Sequence, residues 1–427
     1  MLLTRFRRFV ATVLALAAAG WALPTSAGSQ VQYQYQILHA FGAGDDGNAP
    51  EGPPVFDKKG NLYSSTYVGG ANQLGTVFEL TPGTNGQWSE TILHSFPASP
   101  GDGYEPTGIV MDGAGNLYGT TTIGGTSGNC KVVQGCGTIF ELSPGTNGQW
   151  TESILYNFCS LANCADGGVP GYAPTLGSGG ALYGVASENA YQLAPGSNGW
   201  TFNVLYTFCS LPNCNDGNDP SGSLTLDARG NVYGETAEGG NGGVAYVLHP
   251  ERSGQWKEFV LHGFFGGDDG FDPNGALALH GDALYGSTEA GGGNSCEGGC
   301  GTVFQLTRGS GTNINEQILH DFGPNEAQGL IPVAGVASNQ RGDLFGVTTF
   351  GGSPSCECGV VYGMKPQGNG KWAYQVLYAF DVGTGGFYPD STPTIDSQGN
   401  VYGTTSAGGQ YGPGVVFELS PTAQASK

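Results

Sequence analysis

Short apolar runs alternate with polar, glycine-rich turns along the chain, and one such unit returns with little change after residue 30. Its clearest copy contains Gly115-Asn-Leu-Tyr-Gly-Thr-Thr121, Gly137-Thr-Ile-Phe-Glu-Leu142 and a final run from Trp150 to Phe158. Runs rich in Val, Ile, Tyr, Phe and Thr favour β-strands, and Gly, Pro and Asn between them favour tight turns. The pattern therefore predicts an all-β protein built from repeats.

Two aromatic positions give the number of copies. The first follows a turn, at Tyr63, Tyr118, Tyr183, Tyr233, Tyr285, Phe345 and Tyr402. The second lies in the next strand, at Phe78, Phe140, Tyr191, Tyr246, Phe304, Tyr362 and Phe417. Each copy contains four strands, named a to d, with Leu-Tyr-Gly in strand b, Val-Phe-Glu-Leu in strand c and a Trp-to-Phe run in strand d. Four antiparallel strands per repeat are typical of a β-propeller blade.

The chain ends decide between a closed ring and an open stack. The seventh copy stops after strand c at Val415–Leu419, and a strand d without its own repeat lies within residues 33–41. If this N-terminal strand completes the last blade, the ring closes and leaves no exposed strand edge. An open solenoid needs capping units, which the sequence lacks. We predict a single seven-bladed β-propeller domain over residues 28–427, with four antiparallel strands per blade.

Residues 1–27 have the pattern of a signal peptide. Three arginines precede an apolar stretch over 9–19, and residues 25–27 are small, as cleavage requires. The stretch is too short for a good membrane anchor, so the mature chain is predicted to have no transmembrane span and to be extracellular or periplasmic. We also predict that it is a monomer.

Without the signal peptide, the chain has 11 basic and 35 acidic residues, a net charge of −24. This charge excludes nucleic acid as a favoured partner and admits cations and neutral glycans.

The unit Leu-Tyr-Gly-Thr-Thr-x-x-Gly-Gly, followed by Gly-Thr-Val-Phe, resembles the GloVer tandem repeat of exported "choice-of-anchor" bacterial proteins. The resemblance covers residues 33–420 and rests on several copies. It implies an exported bacterial protein and brings no established activity. Family members typically end in an anchoring signal, and residues 421–427 contain none. This departure favours release or a periplasmic location.

The two faces of the predicted ring differ. The a–b and c–d turns are short and uniform, whereas the b–c and d–a loops vary and lie together on the opposite face. Every cysteine belongs to a close pair within those variable loops: Cys130/Cys136, Cys159/Cys164, Cys209/Cys214, Cys296/Cys300 and Cys356/Cys358. The even number, the local spacing and the export signal predict five disulfides on one face. Zinc is a poor alternative because the pairs are scattered over four blades.

Asp-Gly recurs in five d–a loops, at Asp46, Asp102, Asp166, Asp216 and Asp269. A rim of carboxylates could bind calcium. A turn in which Asp accepts backbone N–H groups explains the repetition better, because a catalytic or ligand site is rarely needed five times. The sequence therefore predicts no cofactor and no metal site, with calcium as an alternative that no further residue pattern supports.

Four other carboxylates come at or near the b–c loops of blades three to five: Glu188, Glu235, Glu238 and Glu289. Glycoside hydrolysis needs two carboxylates across a pocket, so these are the candidate catalytic residues of a carbohydrate-active hydrolase or lyase. The simpler interpretation is a set of solvated loop acids in a strongly acidic chain.

Aromatic residues in the same loops are candidates for stacking on a sugar ring, namely Tyr104, Phe271, Phe387 and Tyr388. Packing within the loops is the alternative. The histidines are less promising, because four of them share one strand-d position with tyrosines in other copies: His39, His94, His262 and His320. Such a position predicts packing or a hydrogen bond.

The sequence contains no catalytic motif such as a nucleophile elbow or a phosphate-binding loop. We therefore expect a binding or interaction protein, whose ligand is a glycan or a cell-envelope component at the disulfide-braced face. A carbohydrate-active enzyme and a purely structural envelope protein are the alternatives. Carboxylates that converge in a central pocket would favour the enzyme.

Overall fold

The computed structural model describes residues 31–42, 45–99, 101–126, 129–130, 135–292, 296, 298–310, 313–323 and 325–422. The predicted signal peptide, residues 1–27, lies outside them. Within the described part of the chain, 29 strands form seven antiparallel sheets. The chain is thus a seven-bladed β-propeller with the strand order a-b-c-d in each blade, as the sequence predicts.

The strands follow the repeats along the chain. Blade 1 contains β2 (Gly47–Phe56), β3 (Leu62–Gly69), β4 (Thr76–Pro82) and β5 (Trp88–Ser95); blade 2 contains β6 (Gly103–Met111), β7 (Leu117–Gly124), β8 (Thr138–Pro144) and β9 (Trp150–Asn157). Blade 3 contains β10 (Thr175–Leu176), β11 (Leu182–Ala186), β12 (Asn189–Gly196) and β13 (Gly199–Thr207); blade 4 contains β14 (Asn218–Leu226), β15 (Val232–Glu238), β16 (Val244–Pro250) and β17 (Trp256–Gly263).

In blade 5, strand a is divided into two short pieces. Blade 5 contains β18 (Phe271–Pro273), β19 (Ala278–His280), β20 (Ala283–Ala290), β21 (Thr302–Arg308) and β22 (Ile314–Asp321). Blade 6 contains β23 (Ala337–Ser338), β24 (Leu344–Thr348), β25 (Val360–Gly368) and β26 (Lys371–Ala379). Blade 7 contains β27 (Thr394–Ile395), β28 (Val401–Thr405), β29 (Val415–Pro421) and the N-terminal strand β1 (Tyr33–Ala40).

Helical structure among the described residues is limited to six one-turn 3₁₀ segments: Thr84–Gly86, Ala162–Cys164, Ser178–Gly180, Pro212–Cys214, Gly267–Asp269 and Glu326–Gln328. No helix in this part of the chain has the length and apolar character that crossing a bilayer requires.

The N-terminal strand closes the ring. β1 pairs antiparallel with β29, with Tyr33 opposite Pro421 and Ala40 opposite Val415. On the inner side, the Thr394 hydroxyl of blade 7 donates to the Pro54 carbonyl of blade 1 at 2.6 Å. The two ends of the repeat array therefore share one sheet, which confirms the closure predicted from the incomplete seventh copy.

The glycine of the Leu-Tyr-Gly run makes room for a large ring in the neighbouring strand. A Cβ atom at Gly119 would lie 2.4 Å from Cζ of Phe140, and the same conflict recurs at Gly286 with Phe304. Strand b therefore carries glycine so that strand c can carry a buried aromatic residue in the same sheet.

One aromatic pair fills the core at each junction between blades. The phenylalanine at the end of strand d contacts the strand-c aromatic residue of the following blade, with ring centroids 4.6–5.5 Å apart. The seven pairs are Phe41–Phe78, Phe96–Phe140, Phe158–Tyr191, Phe208–Tyr246, Phe264–Phe304, Phe322–Tyr362 and Phe380–Phe417. All fourteen rings are buried, so each junction is held by the same contact.

A second aromatic layer uses the tryptophan that begins strand d. The Tyr118 ring of blade 2 meets the Trp200 ring of blade 3 at 6.1 Å, and Tyr63 meets Trp150 in the same way. The repeated tryptophan is thus a structural position between blades.

The Phe41 side chain tests whether the N-terminal strand holds the ring together. We expect Phe41→Ala to lower the free energy of unfolding by about 3–5 kcal/mol, because it removes a fully buried ring from the junction of blades 7 and 1. Denaturant unfolding followed by fluorescence measures this change. Phe265→Ala is the control, because the Phe265 side chain is 69% exposed. Equal, small effects of both substitutions would contradict the closure.

Candidate functional site

We call the side with the b–c and d–a loops the loop face, and the side with the a–b and c–d turns the turn face. All five predicted disulfides form, in b–c or d–a loops: Cys130–Cys136, Cys159–Cys164, Cys209–Cys214, Cys296–Cys300 and Cys356–Cys358. The loop face is therefore cross-linked within individual loops, including the closely spaced last pair, and the turn face carries no disulfide among the described residues.

Charge also divides between the two faces. Every lysine and arginine in the described ranges lies in or near a turn of the turn face: Lys58, Lys59, Arg229, Arg252, Lys257, Arg308, Arg341, Lys365 and Lys371. Lys131 belongs to a loop of the other face and lies outside the described residues. The described loop face thus presents carboxylates without a neighbouring lysine or arginine, which produces a negative potential there.

Strand a of each blade lines the centre of the ring. Neighbouring copies of strand a are joined by side chains, since the Thr175 hydroxyl donates to the Leu224 carbonyl and the Thr225 hydroxyl to the Leu277 carbonyl, both at 2.5 Å. Residues at the loop-face end of strand a therefore surround the central opening on that face.

A Gly-x-x-Pro turn brings one residue of each blade to this opening. The residue before the proline has a positive φ of 52–60° in all seven blades, at Ala49, Glu105, Val169, Asp219, Asp272, Ile331 and Tyr388. Side chains at this backbone conformation are uncommon outside functional or strained sites. The repeated turn therefore places Glu105, Asp219 and Asp272 at the rim of the opening.

One group of carboxylates comes from blades 3 to 5. Burial, followed by the charges of Glu289, Asp219 and Glu238, raises the pKa of Asp272 to about 6. Burial and the charges of Glu238 and Glu188 raise the pKa of Asp219. These mutual effects mean that carboxylates of three blades lie within electrostatic reach of one another.

A chain of hydrogen bonds crosses the same region. The Tyr172 hydroxyl donates to Asn274 Oδ1 at 3.1 Å, and Asn274 Nδ2 donates to Glu289 Oε1. Burial raises the pKa of Tyr172 to about 12. Tyr172 and Asp219 also line a depression of about 410 Å³. A small polar ligand would find both donors and acceptors there.

A second group of carboxylates comes from blades 7, 1 and 2. Burial and the charges of Asp390 and Glu105 raise the pKa of Glu51 to about 8, and burial raises the pKa of Asp390 to about 6. Glu105 accepts hydrogen bonds from the Tyr67 hydroxyl at 2.7 Å and the Thr122 hydroxyl at 3.2 Å. Asp390 Oδ1 is buried without a hydrogen-bond partner.

The structure corrects the expected position of Glu235. Its side chain is not in a loop but fully buried in the middle of β15, opposite Ala245 and Ser221. Both carboxylate oxygens lack a hydrogen-bond partner, and burial raises the pKa of Glu235 well above its usual range. The repeat alignment shows which residues of the other blades are equivalent to Glu235. It could not show that the side chain at this position of strand b faces the next blade.

The other three predicted carboxylates do lie on the loop face. Glu238 is exposed and accepts a hydrogen bond from Asn218 Nδ2 at 3.1 Å, Glu188 is exposed in the tight β11–β12 turn, and Glu289 is half-buried. Sequence reasoning missed five acids that accompany them: Glu51, Glu105, Asp219, Asp272 and Asp390. The Gly-x-x-Pro repeat was the available signal, since all five precede or follow its proline.

The four aromatic candidates differ in their surroundings. Tyr104 and Phe387 pack against hydrophobic clusters between blades, and Phe271 is half-buried beside Gly242. Tyr388 is 37% exposed at the opening and lies two residues before Asp390 in the sequence. Of the four, Tyr388 has the position best suited to contact a ligand at the centre.

The Asp-Gly loops form turns with the geometry that the sequence predicts. Asp166 accepts hydrogen bonds from the backbone N–H groups of Ser160 at 2.8 Å and Leu161 at 3.1 Å. A Cβ atom at Gly47 would lie 2.3 Å from the Thr66 side chain. The glycine is therefore required by the close approach of strand b, and the aspartate organises the loop before it.

The turn face has a depression of its own, with a volume of about 440 Å³, between blades 4 and 5. Its lining includes Arg229, Arg308, Asp227 and Asp282. Asp227 is committed to its own turn, where it accepts the backbone N–H groups of Arg229 and Asn231. This depression lies away from the carboxylates of the central opening.

The fold and these features define the chain as a tandem-repeat, seven-bladed β-propeller with a disulfide-braced, acidic loop face. The chain belongs to the Gloeobacter/Verrucomicrobia repeat family, whose model matches residues 25–192 and 189–417. This match confirms the resemblance drawn from the repeat. No curated protein matches the sequence.

Solved structures resemble the chain at low sequence identity. A gluconolactonase of Xanthomonas campestris is 13% identical with a TM-score of 0.42, over 91% of this chain and 90% of that protein. A PQQ-bound aldose sugar dehydrogenase of Streptomyces coelicolor is 13% identical with a TM-score of 0.40, over 75% and 93%. The extracellular domain of a putative one-component system of B. thetaiotaomicron is 15% identical with a TM-score of 0.48, over 91% of this chain and 40% of that one.

Glu235 yields a prediction about stability. Threonine occupies its position in blades 2 and 7, and we expect Glu235→Thr to raise the free energy of unfolding by about 1–3 kcal/mol, because it removes a buried polar group without partners. The folded-state pKa of Glu235 is raised, so this carboxyl lowers stability progressively as the pH rises from its unfolded-state pKa toward the folded-state pKa. Unfolding at pH 5 and pH 9 should show a larger gain at pH 9.

The exposed Glu238→Thr is the matched control, with an expected change within about 0.5 kcal/mol. A Glu235→Thr protein that is less stable than the unsubstituted protein at both pH values would show that the buried carboxyl has a compensating partner.

Proposed function

We propose that the protein is an exported binding protein that takes a neutral glycan of the cell envelope at the central opening of the loop face. The observation that carries this proposal is the convergence of carboxylates from six blades around that opening, on a face without a described lysine or arginine. Five disulfides support export, because such bonds persist in oxidising compartments.

The chemistry of the opening favours a polyhydroxylated neutral ligand. Ionised carboxylates accept hydrogen bonds from sugar hydroxyls, and protonated ones such as Glu51 at neutral pH can donate. The negative potential repels acidic polymers. Tyr388 and Tyr172 offer aromatic surface beside the acids, and aromatic rings stack on the apolar faces of sugars.

A second candidate function is glycoside hydrolysis or lyase chemistry at the same opening. Asp272 has a pKa near 6 beside Asp219 and Glu289, and a carboxylic acid next to an ionised carboxylate is the pair that glycosidases use. In this alternative Asp272 is the general acid and Asp219 the base or nucleophile. The buried Glu235 takes no part in it.

Binding to a panel of neutral and acidic envelope glycans tests the proposal. We expect the mature protein to retain neutral glycans selectively, and Asp219→Asn and Asp272→Asn each to weaken binding about tenfold, the effect of losing one charge-assisted hydrogen bond. Asp282→Asn, which changes an exposed acid of the turn face, is the control. Glycan arrays and isothermal titration give the affinities.

A hydrolysis assay on the glycans that bind separates the two candidates. Binding without the release of new reducing ends or unsaturated products supports the binding protein. Turnover that Asp272→Asn abolishes supports the enzyme. Affinity that both opening variants leave unchanged would contradict any role for this face in glycan recognition.

A further inference from the structure

Three junctions between blades carry the same group of metal-ligating side chains, which we call the junction clusters. They consist of His39, Asp46 and Glu90; His94, Asp102 and Glu152; and His262, Asp269 and Glu316. In each cluster one nitrogen of the histidine and one oxygen of each carboxylate lie within 4.8 Å of one another. The clusters lie between the outermost strands of adjacent blades, away from the central opening.

The repeat builds these clusters from three separate positions. The histidine belongs to strand d of one blade, the aspartate to the Asp-Gly loop that follows it, and the glutamate to strand d of the next blade. The first cluster thus joins β1 and its loop to β5, across the junction that closes the ring. A ligand bound to all three side chains would link neighbouring blades.

The other four junctions lack the complete set of histidine, aspartate and glutamate. Aromatic rings stack where the cluster is missing, in the pairs Tyr156–Phe202, His320–Tyr374 and Tyr378–Tyr35, at 3.9–4.2 Å. At the remaining junction the cluster keeps both acids, Asp216 and Glu258, but has Tyr206 in place of histidine. The strand-d glutamate therefore faces an aspartate at all four junctions where it occurs. His320 faces no aspartate, and its ring stacks on Tyr374.

Each cluster contains a polar atom that the protein does not satisfy. Oε1 of Glu90, of Glu152 and of Glu316 is buried without a hydrogen-bond partner, and so is Nε2 of His94. The carboxylates are well enclosed, since the side chains of Asp46 and Glu152 are 6% and 13% exposed. Oε1 of Glu258, at the junction where Tyr206 replaces the histidine, is buried in the same way. Burying such acceptors without a partner is costly, and a cation bound between the two carboxylates would provide one.

The spacing of the donor atoms suits a tetrahedral metal. His262 Nε2 lies 2.9 Å from Asp269 Oδ1 and 3.8 Å from Glu316 Oε1, and His39 Nε2 lies 3.1 Å from Asp46 Oδ2 and 3.6 Å from Glu90 Oε2. Ligand atoms at about 2.0–2.1 Å from a tetrahedral zinc ion are about 3.3 Å apart. Small side-chain adjustments would place all three donors at bonding distance, with a fourth position left for water.

We infer that each junction cluster binds one divalent transition-metal cation of the zinc type through one imidazole nitrogen and two carboxylates. Imidazole with carboxylate oxygens suits such ions, whereas calcium prefers oxygen ligands alone. The sequence predicted no metal because the Asp-Gly loops were explained as turns, and the glutamate that completes each cluster comes from strand d of the next blade.

Zinc binding to the mature, disulfide-bonded protein tests the inference. We expect equilibrium dialysis against ZnCl₂, followed by elemental analysis, to give three zinc ions per chain. His39→Tyr, His94→Tyr and His262→Tyr should each remove one ion, and the triple variant all three. Tyrosine is the residue that other blades carry at this position, so these variants are compatible with the fold. His320→Tyr is the matched control and should leave three ions bound.

Zinc should also raise the midpoint of thermal unfolding of the unsubstituted protein by several degrees, because a ligand that binds only the folded state stabilises it, and the triple variant should lose this shift. Failure to bind zinc, or binding that the triple variant retains in full, overturns the inference. So does uptake of calcium in preference to zinc. Glycan affinity that is the same with and without chelator separates this site from the proposed function of the opening.

Discussion

The contact between the last phenylalanine of strand d and the strand-c aromatic ring of the next blade is the interaction on which the whole ring depends. A single four-stranded sheet cannot bury both of its faces, so each blade is stable only against its neighbours. The contact recurs at all seven junctions, and the one between Phe41 and Phe78 requires the N-terminal strand to lie in blade 7. Ring closure is therefore the completion of the same core.

This rigid core explains why the two ends of the strands differ in chemistry. The turn face needs only short, self-sufficient turns, such as the one in which Asp57 accepts the backbone N–H groups of Lys59 and Asn61. The loops of the loop face can vary in length because the core does not depend on them, and disulfides limit that variation. Carboxylates accumulate on the loop face, whereas the basic residues of the described chain lie on the other side.

Much of this was predictable from the sequence because the relevant interactions repeat or are local. Seven copies, the missing last strand and five short cysteine spacings predicted a propeller that is closed by its N-terminal strand and braced on one face. The structure confirms this. The carboxylates were harder. Glu235 was placed wrongly, since a register position does not show which side of strand b faces the next blade, and Asp272 was missed because its importance depends on acids of neighbouring blades.

The sequence by itself determined the repeat, the number of blades, the strand order and the disulfide pairs, because each follows from periodicity or from residues close together in the chain. Only the tertiary structure decided what meets across a junction. Glu90 of blade 1 meets His39 of the N-terminal strand because that strand completes blade 7, and Glu51 lies near Asp390 only because the ring closes. These contacts are set by the packing of whole blades, which no local pattern encodes.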